Sequence, residues 1–426
     1  MSASLLLKNV SVLEADGRFG DPQDVAVDDG VITQLGADLA GEGRPTYDLA
    51  GLWLMPGVFD CHVHISWSTV DEAERLRTPL TCWTLEAARN FRSTLEGGVT
   101  FVRDAGGADA GMRDAIARGY VTGPQLQVSI NMLSQTGGHG DLFLQGLGVQ
   151  SALTPSWEGK PPDVVDGVDG MRRVVRQLLR DGADWIKLCA TGGTVSPFDD
   201  PHQPQFTREE IDVAVLEARR RGKPVFAHAY GDEGLTTAVA AGVRSVEHGT
   251  YLTEEQAAQM AAAGCFLVPT LAIGHDVVRW AEEERILPPY AAAKALERIK
   301  PVLGDAVRIA RAAGVKIVTG TDYIHREEHG HNLEEIAYLN EAGLTAPEAL
   351  LAATLNGAEL CGVADRYGTI APGKTFDAIV LGADPSDLDI FRDPASVVGV
   401  FKGGACVKGA ELLRERADER QPVAAG

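Results

Sequence analysis

The sequence predicts an α/β protein: a (β/α)8 TIM barrel with a small β-sandwich domain built from both termini. Through the middle of the 426-residue chain, short apolar segments alternate with amphipathic ones. Nearly continuous apolar character is typical of parallel strands that are covered on both faces. The two ends instead carry short β patterns separated by glycine and aspartate turns. We therefore expect residues 56–364 to form the barrel and residues 1–55 and 365–426 to form the small domain.

Eight apolar runs of strand length supply the predicted barrel strands. They are VFDCHVHI (58–65), VTFVRDA (99–105), QLQVSI (125–130), WIKLCA (185–190), PVFAHAY (224–230), SVEHG (245–249), FLVPTL (266–271) and KIVTGTD (316–322). The intervening stretches 207–222, 254–264 and 304–314 are amphipathic and end at glycine, which commonly terminates a helix. Repeated strand–helix units predict a barrel whose active site lies at the carboxyl ends of its strands.

The composition argues against a membrane-spanning, an exported or a nucleic-acid-binding protein. No apolar run approaches the ~18 residues that a membrane span needs, and we see no export signal at the start of the chain. The formal net charge of −21 argues against nucleic acid and anionic membranes as partners. The six cysteines are scattered and form no C-x-x-C motif, which indicates that their thiols stay reduced. We therefore expect a cytoplasmic protein that acts on a small molecule, with a frayed tail at 414–426.

Titratable side chains recur near the carboxyl ends of the predicted strands. They are His62 and His64 on the first strand, Lys187 on the fourth, His228 on the fifth, His248 on the sixth and Asp322 on the eighth. Residues i and i+2 of a strand point to the same side, roughly 6–7 Å apart, so both imidazoles of the first strand can reach one cation. Taken alone, each residue also suits a structural role, and Asp322 suits a helix N-cap. All six at one end of a barrel predict a metal site.

The residue types indicate which metals such a site would hold. Imidazole and carboxylate ligands suit Zn²⁺, and also Mn, Fe, Co or Ni. Lys187 is unusual among them, because a protonated lysine repels cations. Burial lowers the pKa of a lysine, and a neutral amine can add CO2 to form a carbamate whose two oxygens bridge two metal ions about 3.5–4 Å apart. The alternative is a lysine that extends to the barrel mouth.

This pattern of ligands resembles the amidohydrolase superfamily. The resemblance spans nearly the whole chain, from the entry motif PGVFDCHVH (56–64) to the return motif GTIAPGKTFDAIVL (368–381). It is closest to the prolidase-like branch of metal-dependent amidohydrolases, and the segments 187–211 and 227–234 fit that branch. The branch includes dipeptidases acting on C-terminal proline, arginine or lysine, ochratoxin-type amidases, and phenylurea or carbamate hydrolases.

The resemblance implies a hydrolase with two divalent metal ions, expected to be zinc. His62, His64 and Asp322 would hold the first ion. The histidines of the fifth and sixth strands would hold the second, with a carbamate on Lys187 as the bridge. A metal-activated water would attack the amide carbonyl. Asp322 would take the proton of that water and pass it to the leaving amine.

Two further residues are candidates for contacting the substrate. Tyr230 lies two residues after His228 and points the same way, and His139 lies in TGGHGD after the third strand. Each would hydrogen-bond the substrate carboxylate or the oxyanion, and the resemblance favours both; the alternatives are a tyrosine at the barrel rim and a surface histidine. Arg103 and Asp104, which end the second strand, are expected to form an ion pair at the rim.

The function we expect is hydrolysis of the C–N amide or peptide bond of an N-acyl amino acid or dipeptide. The runner-up is a carbamate or aryl-urea hydrolase on the same site. A deaminase typically uses one metal without the bridging lysine, and the terminal β segments are not expected of a phosphotriesterase. A catalytically silent scaffold protein would have lost ligands, whereas all six positions are present here. The resemblance also favours an assembly of identical subunits.

Overall fold

The computed structural model describes residues 4–146, 148–151 and 157–417. It confirms the α/β class, since strands and helices alternate through the centre of the chain. Most of the predicted tail, from residue 418 onward, lies outside the described residues. Of the described helices, none is long and apolar enough to cross a membrane.

The bounds of the elements are as follows. The strands are β1 (Leu5–Leu13), β2 (Phe19–Asp28), β3 (Val31–Gly36), β4 (Thr46–Asp48), β5 (Trp53–Pro56), β6 (Val58–Val63), β7 (Val99–Asp104), β8 (Gln125–Val128), β9 (Met132–Leu133), β10 (Leu142–Leu144), β11 (Val149–Ser151), β12 (Ile186–Cys189), β13 (Val225–Ala229), β14 (Ser245–His248), β15 (Phe266–Val268), β16 (Ala378–Leu381), β17 (Val397–Lys402) and β18 (Ala405–Lys408). The α-helices are α1 (Glu72–Arg77), α2 (Leu80–Glu96), α3 (Ala110–Ala117), α4 (Gly167–Arg180), α5 (Arg208–Arg219), α6 (Asp232–Ala241), α7 (Glu254–Ala263), α8 (Leu271–Glu282), α9 (Pro289–Lys294), α10 (Asp305–Ala312), α11 (Glu334–Glu341), α12 (Ala346–Ala353), α13 (Leu355–Leu360) and α14 (Ala410–Glu415).

The central strands run parallel in two sheets. One sheet has the order β6-β7-β8, and the other has the order β15-β14-β13-β12-β9. The third predicted strand (125–130) becomes β8, which pairs with β7, whereas β9 lies just beyond the end of that prediction and pairs with β12. Ile130, between the two pieces, has a left-handed backbone (φ 68°), which interrupts the strand. The first seven strands are therefore continuous across both sheets.

The eighth predicted strand, residues 316–322, is an extended segment rather than a regular strand. On one side its backbone accepts a hydrogen bond from the Leu267 amide of β15 (3.0 Å). On the other side, the Asp322 amide donates to the His62 carbonyl of β6 (2.6 Å). Gly320 permits this approach, because a Cβ there would lie 2.8 Å from the Cβ of His62. Hydrogen bonds thus close the parallel strands into a ring.

Helices cover the outside of this ring where the sequence predicts them. The three predicted stretches become α5, α7 and α10. Both α5 and α7 begin with a capping box, at Thr207 and Thr253, which satisfies their first amides. Helix α7 ends at Gly264 in the left-handed conformation that favours glycine. Their apolar faces pack into the largest buried cluster of the molecule.

Both ends of the chain contribute to one further sheet. Its order is β18-β17-β16-β5-β1-β2-β3, with β4 also paired to β1. The sheet has its own buried apolar cluster, to which Leu7, Val25, Phe376 and Phe401 belong. The two ends therefore fold together as expected. The sandwich form of this unit and its boundaries at 55/56 and 364/365 stay predictions.

Candidate active site

Three predicted ligands meet at the carboxyl end of the ring. The Nε2 atoms of His62 and His64 each lie 3.3 Å from Oδ1 of Asp322. One donor atom from each of the three side chains lies within 4.8 Å of the other two. Both histidines are buried. We call His62, His64 and Asp322 the acidic cluster, and its spacing suits a single cation.

The outer nitrogens of both histidines are held by hydrogen bonds. Nδ1 of His62 donates to the carboxylate of Glu247 (2.7 Å), and Nδ1 of His64 donates to the carbonyl of Gly106 (2.7 Å). Such partners fix which nitrogen of an imidazole is free and how the ring is turned. Each Nε2 therefore faces Asp322 and is the ring nitrogen that is available to a cation.

Glu247 is a functional residue that the sequence analysis missed. Its carboxylate accepts from the Arg103 guanidinium at 2.9 and 3.0 Å and from His62, and both charged side chains are fully buried. Burial alone would raise the pKa of Glu247, but Arg103 and His62 lower it to about 2. The glutamate is therefore an anion that holds the candidate ligand His62 from behind.

The predicted rim ion pair between Arg103 and Asp104 is wrong. Arg103 points into the ring toward Glu247, whereas the Asp104 carboxylate accepts the backbone amides of Ile65 (3.1 Å) and Gly106 (2.9 Å). Successive residues of a strand point to opposite faces, so neighbours in β7 cannot pair. Both residues are buried supports of the site rather than rim residues.

Lys187 extends from β12 to the acidic cluster. Its Nζ lies 3.3 Å from Nε2 of His62 and 4.8 Å from the centre of the Phe226 ring. The side chain is buried, and this burial lowers the pKa of the amine below its ordinary value. The alternative of a lysine extended to the barrel mouth does not fit this position.

His228 and His248 form a second group, which we call the neutral cluster. Their ring centres lie 4.5 Å apart, and the ring of His248 lies 5.1 Å from that of His62. Nε2 of His228 donates to the carbonyl of Gly192 (2.9 Å), and Nδ1 of His248 is hydrogen-bonded to the Thr270 hydroxyl (2.7 Å). Burial lowers the pKa of both imidazoles well below the ordinary value, so both rings are neutral.

Tyr230 and His139 also lie beside the neutral cluster. The ring of Tyr230 is 4.9 Å from that of His228, and its hydroxyl is hydrogen-bonded to Thr194 (3.0 Å). The ring of His139 stacks on that of His228 at 4.2 Å, and its Nδ1 lies 2.9 Å from the Ser196 hydroxyl. His139, whose side chain is 11% exposed, is therefore not the surface histidine of the alternative interpretation.

One cavity brings most of these groups together. It is lined by all six predicted ligands and by His139. Trp67, Val70, Arg75 and Leu142 also line it. A second cavity of about 730 Å³ shares Val70, Arg75 and Leu142 with it and leads outward. The six predicted ligands and His139 therefore surround one chamber, whereas Tyr230 lines a neighbouring cavity that His228 and His248 also line.

The donors in this chamber fit divalent cations. Imidazole nitrogens with fixed outer partners and a carboxylate oxygen are the ligands that zinc and similar metals prefer. The acidic cluster offers three such donors close together. The neutral cluster offers two imidazoles, and Lys187 lies beside His62, a ligand of the acidic cluster.

Comparison with known proteins identifies the class. A model of the Amidohydrolase family matches residues 53–407, most of the chain. The chain therefore belongs to the amidohydrolase family.

Its relatives place it within that family. The ochratoxinase of Aspergillus niger is 34% identical over 384 residues, which cover 87% of this chain and 78% of that protein. A prolidase solved with N-methylphosphonate-L-proline matches with a TM-score of 0.87 and 32% identity, covering 95% of this chain and 99% of that one. A Xaa-Pro dipeptidase with bound methionine in its active site has a TM-score of 0.85 and 30% identity, with 95% and 100% covered. The prolidase-like branch is confirmed, and the chain is a hydrolase acting on C–N bonds.

Proposed function

We propose that the chain is a binuclear metal-dependent hydrolase that cleaves the amide or peptide bond of an N-acyl amino acid or dipeptide with a metal-activated water. The observation that carries this proposal is the single chamber lined by all six candidate ligands. The acidic cluster would hold one ion and the neutral cluster the other, both proposed to be zinc. A carbamate on Lys187 would join them, since its buried amine has a lowered pKa and lies beside His62.

The chain's own residues divide the work around these ions. When bound, the cations supply an activated water and polarise the amide carbonyl. Asp322 takes the proton of the attacking water and gives it to the leaving nitrogen, so one carboxylate acts as base and then as acid. Burial raises the pKa of Tyr230, which keeps its hydroxyl protonated and able to donate to the developing oxyanion or to the substrate carboxylate.

A positive charge in the chamber favours substrates with a free carboxylate. The guanidinium of Arg75, at the end of α1, lies 5.5 Å from the centre of the Trp67 ring and lines both cavities. Arginine binds carboxylates through paired hydrogen bonds. This supports an N-acyl amino acid or dipeptide over the runner-up, a neutral carbamate or aryl urea.

A substrate panel tests the proposal. The metal-loaded protein is assayed on N-acyl amino acids, on Xaa-Pro and Xaa-Arg dipeptides, and on neutral aryl carbamates and ureas. We expect turnover of carboxylate-bearing amides, with two metal ions per chain by elemental mass spectrometry. Turnover of carbamates alone would replace the first choice with the runner-up. Metal content below about 0.2 ions per chain after supplementation with zinc and bicarbonate would favour a silent scaffold instead, because no Lewis acid would be present.

We propose a (β/α)8 barrel carrying a terminal β-sandwich domain, present in the cytoplasm as a homo-oligomer. The closed ring of strands and the separate apolar cluster of the terminal sheet support the architecture. Limited proteolysis would test the boundaries near 55/56 and 364/365, since cleavage concentrates in exposed linkers. Light scattering would test the assembly, and a monomer mass would contradict it.

A further inference from the structure

The cavity beside the neutral cluster continues into an apolar extension that the reaction as proposed above does not use. His228, His248 and Tyr230 line this cavity where it meets the chamber. Six further residues that line it have no polar atom in their side chains, and we call the part that they form the side arm. They are Ile273, Gly274, Val277, Ile299, Val302 and Leu303. Helix α8 supplies the first three, and the segment before α10 supplies the others.

One face of α8 leads from the neutral cluster into the side arm. Thr270, whose hydroxyl holds Nδ1 of His248, is the residue directly before this helix. Ile273, Gly274 and Val277 follow it at spacings of three or four residues, which places all four on one side of a helix. A helix rises 1.5 Å per residue, so Val277 lies about 10 Å from Thr270 along the axis. The side arm therefore begins beside His248 and runs along α8.

Gly274 and Leu303 face each other across the side arm. Glycine is disfavoured inside a helix relative to alanine, yet Gly274 lies within α8. A Cβ at this position would lie 2.6 Å from Cδ1 of Leu303. The missing side chain therefore makes room for the leucine, and these two residues set how much space the arm offers.

The size and chemistry of the side arm restrict what can enter it. The cavity to which it belongs encloses about 60 Å³. Since a cavity of about 150 Å³ holds benzene, this one has room for roughly two or three carbon atoms. A charged group would lose its hydration in the arm without meeting a polar side chain, which is costly. The arm therefore suits a short, uncharged aliphatic group.

The position of Arg75 indicates which half of the substrate reaches the side arm. Arg75 lines the chamber and the second cavity of about 730 Å³, whereas the side arm joins the chamber at the neutral cluster. A substrate whose carboxylate meets Arg75 has its amino-acid half beside the large cavity. Its carbonyl half then extends past the neutral cluster toward the arm.

We propose that the side arm binds the group attached to the scissile carbonyl and selects an uncharged aliphatic chain of up to about three carbons beyond that carbonyl. This inference rests on the proposed function. The selected group is the acyl chain of an N-acyl amino acid, or the side chain of the first residue of a dipeptide. Gly274 and Leu303 are its specificity-determining residues. The amino-acid half can be large, because the second cavity is large.

A series of acyl chains on one amino acid tests the selection. The metal-loaded protein is assayed on the acetyl, propionyl, butyryl, hexanoyl and succinyl derivatives. We expect kcat/KM to rise about fourfold for each methylene up to butyryl and to fall at least about 10-fold for hexanoyl, which is too long. Succinyl, which carries a carboxylate in place of the last methyl group of butyryl, is expected to be slower than acetyl. Equal kcat/KM values across the series would overturn the proposal.

Two variants should shift the preferred chain length in opposite directions, which general damage to the protein cannot do. Leu303→Ala lengthens the arm and is expected to make hexanoyl the best substrate. Gly274→Ala pushes Leu303 into the arm and is expected to make acetyl or propionyl the best. The control is Leu296→Ala, an exposed leucine in the same segment, which should keep the wild-type profile. An unchanged preference in both arm variants would overturn the proposal.

Binding of the released acids tests the side arm without turnover. Calorimetry measures the affinity of the metal-loaded protein for acetate, propionate, butyrate and hexanoate. We expect affinity to rise to butyrate and to fall at hexanoate, and Leu303→Ala to favour hexanoate. If the wild type hydrolyses no amide, the proposed function fails, and this series still decides whether the arm selects by length. Equal affinities for all four acids would overturn the side arm even in a protein that hydrolyses amides.

Discussion

The two clusters of the candidate active site hold their histidines in opposite electrostatic settings. Burial would lower the pKa of His64, but the hydrogen bond and charge of Asp322 raise it above its ordinary value. In the neutral cluster, burial lowers the pKa of His228 well below the ordinary value, and its outer nitrogen meets only a backbone carbonyl. The acidic cluster therefore has one anionic donor of its own. The neutral cluster needs an anion from elsewhere, and the carbamate proposed on Lys187 would supply it.

The largest effect is expected from removing the charge of the acidic cluster. Asp322→Asn keeps the size of the side chain but loses both the anion and the group that carries the proton. We expect kcat to fall about 10²–10⁴-fold, with loss of metal from the acidic cluster. Steady-state kinetics measures kcat, and elemental mass spectrometry measures the metal content. The matched control is Asp109→Asn at the N-cap of α3, where asparagine caps equally well. Wild-type turnover by Asp322→Asn would refute its assigned role.

The support behind the acidic cluster should matter for stability. Glu247→Gln leaves Arg103 buried without a counter-charge between the rings of Trp185 (4.8 Å) and Phe226 (4.1 Å). Breaking a buried ion pair costs about 3–5 kcal/mol, which urea unfolding would detect. The control is Glu96→Gln, which removes an exposed i,i+4 pair with Arg92. If both variants unfold at the same urea concentration, the buried pair is not the support that we describe.

Removing Lys187 should weaken metal binding at the neutral cluster more than at the acidic cluster. Lys187→Ala is expected to weaken metal binding at the neutral cluster by about 100-fold, the upper range for groups that support a metal site, and to leave one ion at the acidic cluster. Added short-chain carboxylic acids are expected to restore part of the activity, because they replace the missing anion. Native mass spectrometry of the wild type should show the added mass of CO2. Two tightly bound ions in Lys187→Ala would contradict the assignment.

The smallest effect is expected on the outer side of the neutral cluster. Thr270→Val keeps the shape of the side chain but removes the hydroxyl that holds Nδ1 of His248. We expect metal affinity at the neutral cluster to fall about 10-fold, with the acidic cluster unchanged as an internal control. A metal titration followed by calorimetry measures both sites in one experiment. An equal loss at both clusters would mean that they are not independently supported.

Periodicity in the sequence was enough to predict most of the chamber. The two-residue spacing of His62 and His64 predicts that both imidazoles lie on one side of the chain, and they do converge with Asp322, although β6 ends at Val63. The same periodicity did not predict the break between β8 and β9 or the irregular form of the eighth segment. Ile130 adopts a left-handed backbone that apolar character does not indicate, and the eighth segment is held by scattered backbone hydrogen bonds rather than by a full ladder.

Glu247 shows why part of the site was hidden from the sequence. Neighbours in a regular strand face opposite ways, so a glutamate directly before the ligand His248 is expected to point away from it. In the structure His248 has a left-handed backbone (φ 69°), which breaks that alternation at the end of β14. His248 thereby lines the chamber, whereas Glu247 points to the interior of the ring, behind His62. Without this information, Arg103, which pairs with Glu247, was expected to pair with Asp104, its neighbour in the sequence.

The closing segment of the ring has a consequence for how the protein matures. His62 and His64 leave the ribosome early, whereas Asp322 and its hydrogen bond to the His62 backbone come from the last part of the ring. His228 and His248 lie on adjacent strands and emerge close together in time. A nascent chain therefore holds a pair of imidazoles before it holds a complete acidic site. A metal that the acidic cluster binds would therefore meet its complete set of donors only after the whole ring has been translated.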